Sequence, residues 1–229
     1  AEPGDVVISL GTSGTAFAVS TTSTHDSSGA VAGFADASGR FLPLVCTLNA
    51  ARIFDAATTI LGKTHDEVGA LALSSVPGAH GLTLLPYFEG ERTPNRPTAT
   101  GVFSGMNIAN SNPADIARAM IEGMLSGLAD AVAALEDLGV DIKRVLIIGG
   151  AAKNPAVGQI ASALFGRPVL IPPAGEYVAD GAAKQAAWAL LGGATPPVWD
   201  LGKAMHIEAA ATPAVLEKYR TLRDATVNW

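Results

Sequence analysis

The sequence has a single cysteine and no long apolar run, and each shortage excludes a class of protein. Cys46 has no second cysteine with which to pair, so an intrachain disulfide is excluded. No apolar stretch approaches the length of a membrane-spanning helix, roughly 18 residues or more. The N-terminus also lacks the basic-then-apolar pattern of an export signal. We therefore expect a cytoplasmic protein in reducing surroundings, with no membrane partner.

Charged residues are also scarce, and basic ones most of all. The chain has 15 Lys and Arg against 21 Asp and Glu, a net charge of −6, and no basic cluster. Because a nucleic-acid-binding surface needs a basic patch, we expect no nucleic acid partner. Charged residues make up only 16% of the chain, against about 25% in ordinary soluble domains. This shortage suggests that another domain covers part of the surface, and a homodimer stays open.

Motifs for metal binding and nucleophilic catalysis are lacking too. The four histidines are dispersed along the chain: His25, His65, His80 and His206. Without a His-x-x-x-His pair or a cysteine cluster, no metal site held by the protein is expected. Residues 11–14, GTSG, lack the spacers of a Gly-x-Ser-x-Gly nucleophile elbow.

Two glycine-rich turns lie about 140 residues apart, each directly after a strongly apolar run. Residues 11–14 follow the run 6–10, and residues 149–154 (GGAAKN) follow the run 145–148. An apolar run that stops at glycine is typical of a buried strand opening into a loop whose backbone can approach a ligand. The pair fits the nucleotide grip of actin-like ATPases, with phosphate at one turn and adenosine at the other. Taken singly, each turn is equally typical of an ordinary ligand-free connection.

Hydrophobic patterning predicts strands first and a βαβα alternation later. The predicted strands are 6–10, 15–20, 30–34, 40–47, 83–85, 145–148 and 169–171, and the predicted helices are 48–61, 64–74, 114–138, 155–165, 178–191 and a last one capped by Thr212 and Pro213. Alternation of this kind implies parallel strands with helices against the sheet. We expect one α/β domain over residues 1–229, RNase H-like (actin-like ATPase) in class, with a mixed sheet and helices on both faces. Residues 194–229 are expected to pack on it as a terminal extension.

Residues 57–64, ATTILGKT, match a Walker A phosphate loop except that Ala57 replaces the first glycine. That loop needs a preceding strand and a flexible start. Here the apolar spacing continues a helix as far as Leu61, and Gly62 is a natural helix stop. The sequence therefore predicts a helix end at this point and no phosphate loop.

A longer pattern resembles a known family. Residues 101–106 (GVFSGM), a gap of eight, and residues 115–122 (DIARAMIE) resemble the second signature of the FGGY carbohydrate kinases along its whole length. Residues 85–94 (LPYFEGERTP) look like the corresponding stretch of the xylulokinases among them. Residues 9–14, 148–154 and 176–187 are similar to the family's phosphate motif, adenosine motif and closing helix. The likeness covers about residues 4–192.

The resemblance implies two actin-like domains around a cleft, the first holding the sugar and the second ATP with Mg2+. This chain resembles the second domain. The family's catalytic aspartate would lie before Ala1, so we expect a fragment with no catalytic residue of its own and no activity alone. The expected substrate is D-xylulose, held by the missing domain, and ribulose, gluconate or glycerol stays open.

The same resemblance assigns roles to individual residues. The nucleotide-binding residues that it implies are Gly11, Thr12, Ser13, Gly14, Asn49, Arg52, Gly149, Gly150, Ala151 and Asn154. Thr12 would donate to the γ-phosphate region, Gly150 would let the backbone approach adenosine, and the Asn154 amide would hydrogen-bond there. Asn49 or Arg52 would face the base or ribose. Arg92 is the candidate facing the sugar, with a solvated loop arginine as the alternative.

Two other classes of function stay open. The same fold serves actin-like and chaperone-type ATPases, in which the nucleotide drives domain closure without a small substrate. The signature at residues 101–122, which those relatives do not need, favours the carbohydrate kinases. The third interpretation is a non-catalytic interaction module.

Overall fold

The computed structural model describes residues 1–199 and 202–227. Its strands are β1 (Asp5–Leu10), β2 (Gly14–Ala18), β3 (Ala32–Ala35), β4 (Phe41–Thr47), β5 (Thr83–Leu85), β6 (Val102–Ser104), β7 (Arg144–Ile148), β8 (Val169–Ile171) and β9 (Met205–Ile207). Seven of them form one sheet in the order β3-β4-β2-β1-β7-β8-β9, and β5 pairs with β6 in a separate hairpin. The β1–β7 and β7–β8 pairs are parallel and the other pairs are antiparallel. This mixed sheet confirms the predicted α/β class.

Six α-helices accompany the strands: α1 (Ala51–Leu61), α2 (His65–Ser74), α3 (Pro113–Asp137), α4 (Pro155–Phe165), α5 (Tyr177–Leu191) and α6 (Pro213–Ala225). Their predicted ends are largely correct because the local signals are strong. Thr64 and Glu67 form the capping box of α2, and the Asn112 side chain caps α3. Gly62 ends α1 in the left-handed conformation, which confirms that residues 57–64 are no phosphate loop.

The core lies between the sheet and the helices α1, α3 and α4. Val6, Ile8 and Leu10 alternate along β1 and are fully buried there. Each buried aliphatic side chain of this kind stabilises the fold by roughly 1.5–3 kcal/mol. The 25-residue α3 contacts α1, α2 and α4, so it fixes the helices relative to the sheet.

The chain changes direction across the sheet between β1 and β7. From β1 it continues to β2, β3 and β4 on one side, and from β7 it continues to β8 and β9 on the other. Because β1 and β7 are adjacent and parallel, their carboxyl ends open side by side into a crevice, the usual ligand position in sheets of this type. Both glycine-rich turns lie at that edge.

The structure differs from the predicted elements in several places. Helix α1 begins at Ala51, three residues after the predicted start at residue 48. Strands β6 and β9, each of three residues, were not predicted. Helix α6 begins at Pro213 as predicted, but the Thr212 side chain makes no capping hydrogen bond. This helix packs on β5, α3 and α4 through Val215 and Tyr219. By contrast, α5 has no buried residue. Within residues 1–199 and 202–227 no helix has the length and apolar character needed to cross a membrane.

Candidate functional site

The first glycine-rich turn joins β1 to β2. Gly11, Thr12 and Ser13 are exposed, so the hydroxyls of Thr12 and Ser13 lie where a ligand can reach them. The carbonyl of Gly11 accepts a 2.9 Å hydrogen bond from the N–H of Ala51, which ties the turn to the start of α1. Gly14 is buried, and a Cβ there would lie 2.6 Å from Thr47 Oγ1. Close packing against β4 therefore explains Gly14, while the exposed part of the turn is free of such packing.

The second turn follows β7 and abuts the end of β1. Gly149 has a φ of +106°, and a Cβ there would clash with the Leu10 carbonyl, 2.7 Å from its carbon atom. Only glycine fits both the backbone conformation and this close approach. The contact places the residue before Gly11 directly against the residue before Gly150. The two turns that the sequence separates by about 140 residues thus meet in space.

Gly150 differs from Gly149 because nothing in the protein requires a glycine there. Its φ of −60° suits any residue, and no atom lies within 4 Å of where its Cβ would be. Gly150 lines two open cavities, one of about 790 Å³ and one of about 360 Å³. Both volumes lie within or near the range of small-molecule sites, about 300–1,000 Å³. A side chain at Gly150 would project into this open space.

The larger cavity lies outside the carboxyl ends of β7 and β8. Its walls also include residues 172–177, which connect β8 to α5, and Met205 of β9. Lys153 and Lys203 line it, and Lys153 also lines the smaller cavity. Glu176 also lines the larger cavity, so its lining carries two lysines against one carboxylate, whereas Asp55 and Asp66 outnumber Lys153 in the smaller cavity. The lining of the larger cavity thus has a net positive charge, which suits an anionic ligand.

The smaller cavity lies between α1, the start of α2 and the second turn. Its lining residues are Ala51, Phe54, Asp55, His65, Asp66, Gly150, Ala151, Lys153 and Asn154. Asn154 ties two of these walls together: its Oδ1 accepts from the N–H of Ala156 at 3.0 Å, and its Nδ2 donates to the carbonyl of His65 at 2.9 Å. Asn154 is therefore the N-cap of α4 and a bridge to α2 as well as a cavity residue.

Asn49 and Arg52 line neither of the two cavities, and they contact the charged loop of residues 86–96. Nδ2 of Asn49 donates to the carbonyl of Gly90 at 2.7 Å and to Glu91 at 2.9 Å, and Arg52 pairs with Glu89. The role of Asn49 and Arg52 at the base or ribose stays a prediction from resemblance, and the observed contacts of both side chains are with the loop.

Glu91, which sequence reasoning missed, is the residue that fixes this loop. Its carboxylate is almost fully buried and accepts hydrogen bonds from the N–H groups of Leu48 at 2.6 Å and Arg92 at 2.7 Å, besides that from Asn49. Leu48 and Asn49 lead from β4 into α1, the segment that also holds the first turn. Residues 48–51 therefore make hydrogen bonds both to this loop and to the first turn. Arg92, next to Glu91, is exposed.

The residues of the signature at 101–122 make structural contacts. A Cβ at Gly101 would clash with the Phe88 ring, and one at Gly105 would clash with the Gly81 carbonyl. Glu122 accepts from Arg118 at 2.6 Å and from the N–H of Gly78 at 3.0 Å. Burial raises the pKa of Glu122 despite the Arg118 guanidinium beside it. In the described part of the chain, no signature residue lines either cavity at Gly150.

Metal ligands do not come together in residues 1–199 and 202–227. No group of three or more His, Cys, Asp or Glu is placed there to hold a metal ion.

Comparison with known proteins identifies the family. The model of the C-terminal domain of the FGGY family of carbohydrate kinases matches residues 6–190. The chain belongs to the FGGY family. The matched range includes both glycine-rich turns, the loop of residues 86–96 and the signature, which confirms the resemblance seen in the sequence.

The curated and solved relatives include several xylulose kinases. This FGGY domain is 43% identical over 191 residues to the xylulose kinase of Streptomyces coelicolor, covering 83% of this chain and 38% of that protein. The xylulose kinase structure from Bifidobacterium adolescentis is 49% identical with a TM-score of 0.88, and the match covers 97% of this chain and 44% of that one. The chain thus spans less than half the length of these relatives.

A more distant relative shares the fold. The Plasmodium falciparum glycerol kinase, solved with ADP, has a TM-score of 0.80 at 16% identity, over 98% of this chain and 47% of that one. This likeness supports the actin-like fold of the FGGY C-terminal domain over nearly the whole described chain.

Proposed function

We propose that this FGGY domain binds ATP and presents its γ-phosphoryl group to a ketopentose, D-xylulose, held by another domain. One observation carries the nucleotide part of the proposal. Gly150 is a glycine without any structural need to be one, and it stands where the carboxyl ends of β1 and β7 open side by side. A glycine at this position has no side chain, so a nucleoside can approach the backbone closely there.

The two turns divide the nucleotide between them in this proposal. The turn at Gly150 and the smaller cavity beside it take the nucleoside, and the turn with Thr12 takes the phosphates, since Gly11, Thr12 and Ser13 are exposed. The Gly149–Leu10 contact holds the turns together, so the nucleotide meets both without a rearrangement of the sheet. Mg2+ bound to the phosphates would neutralise charge during transfer.

In this proposal the domain supplies hydrogen-bond donors that stabilise charge on the transferring phosphoryl group. The Thr12 hydroxyl is the side-chain donor proposed for this role. The acid–base group that activates the sugar hydroxyl is proposed to lie in the sugar-binding domain. The chain alone is therefore proposed to be inactive as a sugar kinase.

The names of the curated relatives support D-xylulose as the proposed sugar. Three curated relatives that cover 81–83% of this chain at 30–43% identity are named xylulose kinases, and a glycerol kinase is 39% identical over 58% of it. Residues 85–94 look like the corresponding stretch of the xylulokinases, and the Glu91 carboxylate ties this loop to the N–H of Leu48, just before α1. This anchoring would hold the exposed Arg92 in a fixed place relative to the phosphates, which suits a residue at the edge of a sugar site.

Calorimetry and a coupled kinase assay on the 229-residue chain test the proposal. The chain is expected to bind ADP and ATP and to show no ATP turnover that depends on D-xylulose. In a complete kinase that contains this domain, D-xylulose is expected to be phosphorylated with higher kcat/KM than ribulose, gluconate or glycerol. Absence of nucleotide binding by the folded chain would contradict the ATP role. Sugar-independent ATP turnover stimulated by a protein partner would favour the chaperone-type ATPase instead.

A further inference from the structure

The smaller cavity has an acidic group at its mouth that the nucleotide role alone does not explain. Nε2 of His65 lies 2.8 Å from Oδ1 of Asp55, which joins the start of α2 to the middle of α1. The side chain of Asp55 is 68% exposed and that of His65 is 55% exposed. The pair therefore stands at the open edge of the cavity, where a ligand would pass.

His65 is itself held in place from two sides. Its ring meets the buried ring of Phe54 edge to face, with centroids 5.0 Å apart and planes at 88°. Its carbonyl accepts the hydrogen bond from Asn154, so the backbone of His65 is fixed to the second turn. A histidine anchored in this way orients the carboxylate of Asp55 through Oδ1.

The second oxygen of Asp55 remains for a ligand. Within residues 1–199 and 202–227, Oδ2 of Asp55 accepts no hydrogen bond. A carboxylate oxygen accepts and never donates, so it selects a ligand edge that carries N–H groups. The exocyclic amino group of adenine is such an edge, whereas hypoxanthine carries a carbonyl oxygen at the same ring position.

We propose that Asp55, oriented by His65, reads the exocyclic amino group of the adenine base in the smaller cavity. This inference rests on the proposed function, because it assumes that the nucleoside enters beside Gly150. Asp55 then acts as the residue that determines base specificity, and His65 is a positioning residue. In the same pose a hypoxanthine nucleotide would place its carbonyl oxygen against the carboxylate oxygen, where the two acceptors repel each other. Its ring N–H lies one position further along the base edge, so it would reach Asp55 only if the base shifted in the cavity.

Calorimetric titration of the 229-residue chain with ADP and with inosine diphosphate tests this. The wild-type chain is expected to bind ADP about tenfold or more tightly, in line with the loss of one charge-assisted hydrogen bond. In Asp55→Asn the amide oxygen keeps the bond from His65, and the amide nitrogen then faces the base. The ratio of the two dissociation constants should therefore fall to about one or reverse. His65→Ala should reduce the ratio part of the way.

Asp66→Asn is the matched control, since Asp66 lines the same cavity and, among the described residues, its carboxylate makes no hydrogen bond with the His65 ring. It should leave the ratio unchanged. Equal binding of both nucleotides by the wild-type chain, or a full ADP preference in Asp55→Asn, would overturn the inference and leave the proposed function standing. Binding of neither nucleotide by the folded wild-type chain would overturn both.

Discussion

Gly149 packs against the backbone of Leu10 so closely that a Cβ on Gly149 would clash with the Leu10 carbonyl. This contact joins the second glycine-rich turn to the strand that leads into the first. The two adjacent glycines of the second turn therefore have different roles. Gly149 is required by the fold, whereas Gly150 faces open space at the edge of both cavities.

The first prediction separates these two glycines by stability. Gly149→Ala places a side chain at a φ of +106° and against Leu10, so we expect the free energy of unfolding to fall by more than about 2 kcal/mol. Gly150→Ala, at a φ of −60°, should leave it unchanged or raise it by up to about 1 kcal/mol. Urea unfolding followed by circular dichroism measures both. Equal stability of the two variants would contradict the close contact.

The second prediction concerns the anchor of the charged loop. Glu91→Gln replaces an acceptor-only carboxylate by an amide, so one of the N–H donors from Leu48, Asn49 and Arg92 meets another donor. We expect a loss of about 1–3 kcal/mol in stability and faster tryptic cleavage at Arg92. Glu89→Gln, at an exposed position, is the control and should change neither by as much. Unaltered cleavage in Glu91→Gln would show that the carboxylate does not hold the loop.

The third prediction assigns the first turn to the phosphates. In a complete kinase that contains this domain, Thr12→Val should leave ADP affinity nearly unchanged and lower turnover about 10- to 1,000-fold, because the hydroxyl would act on the transferring group. Steady-state kinetics and calorimetry measure the two effects separately. Loss of ADP binding in Thr12→Val would contradict the assignment, and Ser13→Ala is a useful neighbouring comparison.

The fourth prediction concerns α5, none of whose residues is fully buried. Val178, Leu190 and Leu191 are 90%, 87% and 73% exposed. Apolar exposure of this kind promotes association, so the isolated chain should bind a hydrophobic dye and self-associate at high concentration. The double change Leu190→Lys and Leu191→Lys should reduce both effects without altering the fold. A wild-type chain that sediments as a monomer and binds no dye would contradict this expectation.

Local signals made most of the fold predictable. Thr64 with Glu67, Asn112 before Pro113, and Gly62 after an apolar helix gave correct helix ends because each acts through neighbouring residues. The three-residue strands β6 and β9 were missed, although β5 and β8 have the same length and were predicted. The difference is burial: β5 and β8 each have two buried residues, whereas β6 and β9 have none and so lack a clear apolar pattern. They are paired with β5 and β8 respectively.

Only those parts of the site that the backbone forms could be predicted from the sequence. The two glycine-rich turns could be found from apolar runs that stop at glycine. The burial of Glu91 could not be found, because a glutamate in a charged loop has the pattern of a solvated residue, and its partners Leu48 and Asn49 lie more than 40 residues away. The His65–Asp55 pair depends in the same way on how α1 packs against α2.

The central claim is that residue 150 is a glycine because a nucleotide binds against its backbone. Calorimetric titration of ADP and ATP into the Gly150→Val chain tests it most directly, with Gly33→Val as a matched control, since Gly33 also has no atom within 4 Å of its Cβ position. We predict that Gly150→Val keeps its fold and loses affinity for ADP and ATP alike, by about tenfold or more, while Gly33→Val binds as the wild type does. Undiminished ADP binding by a folded Gly150→Val chain would contradict the account.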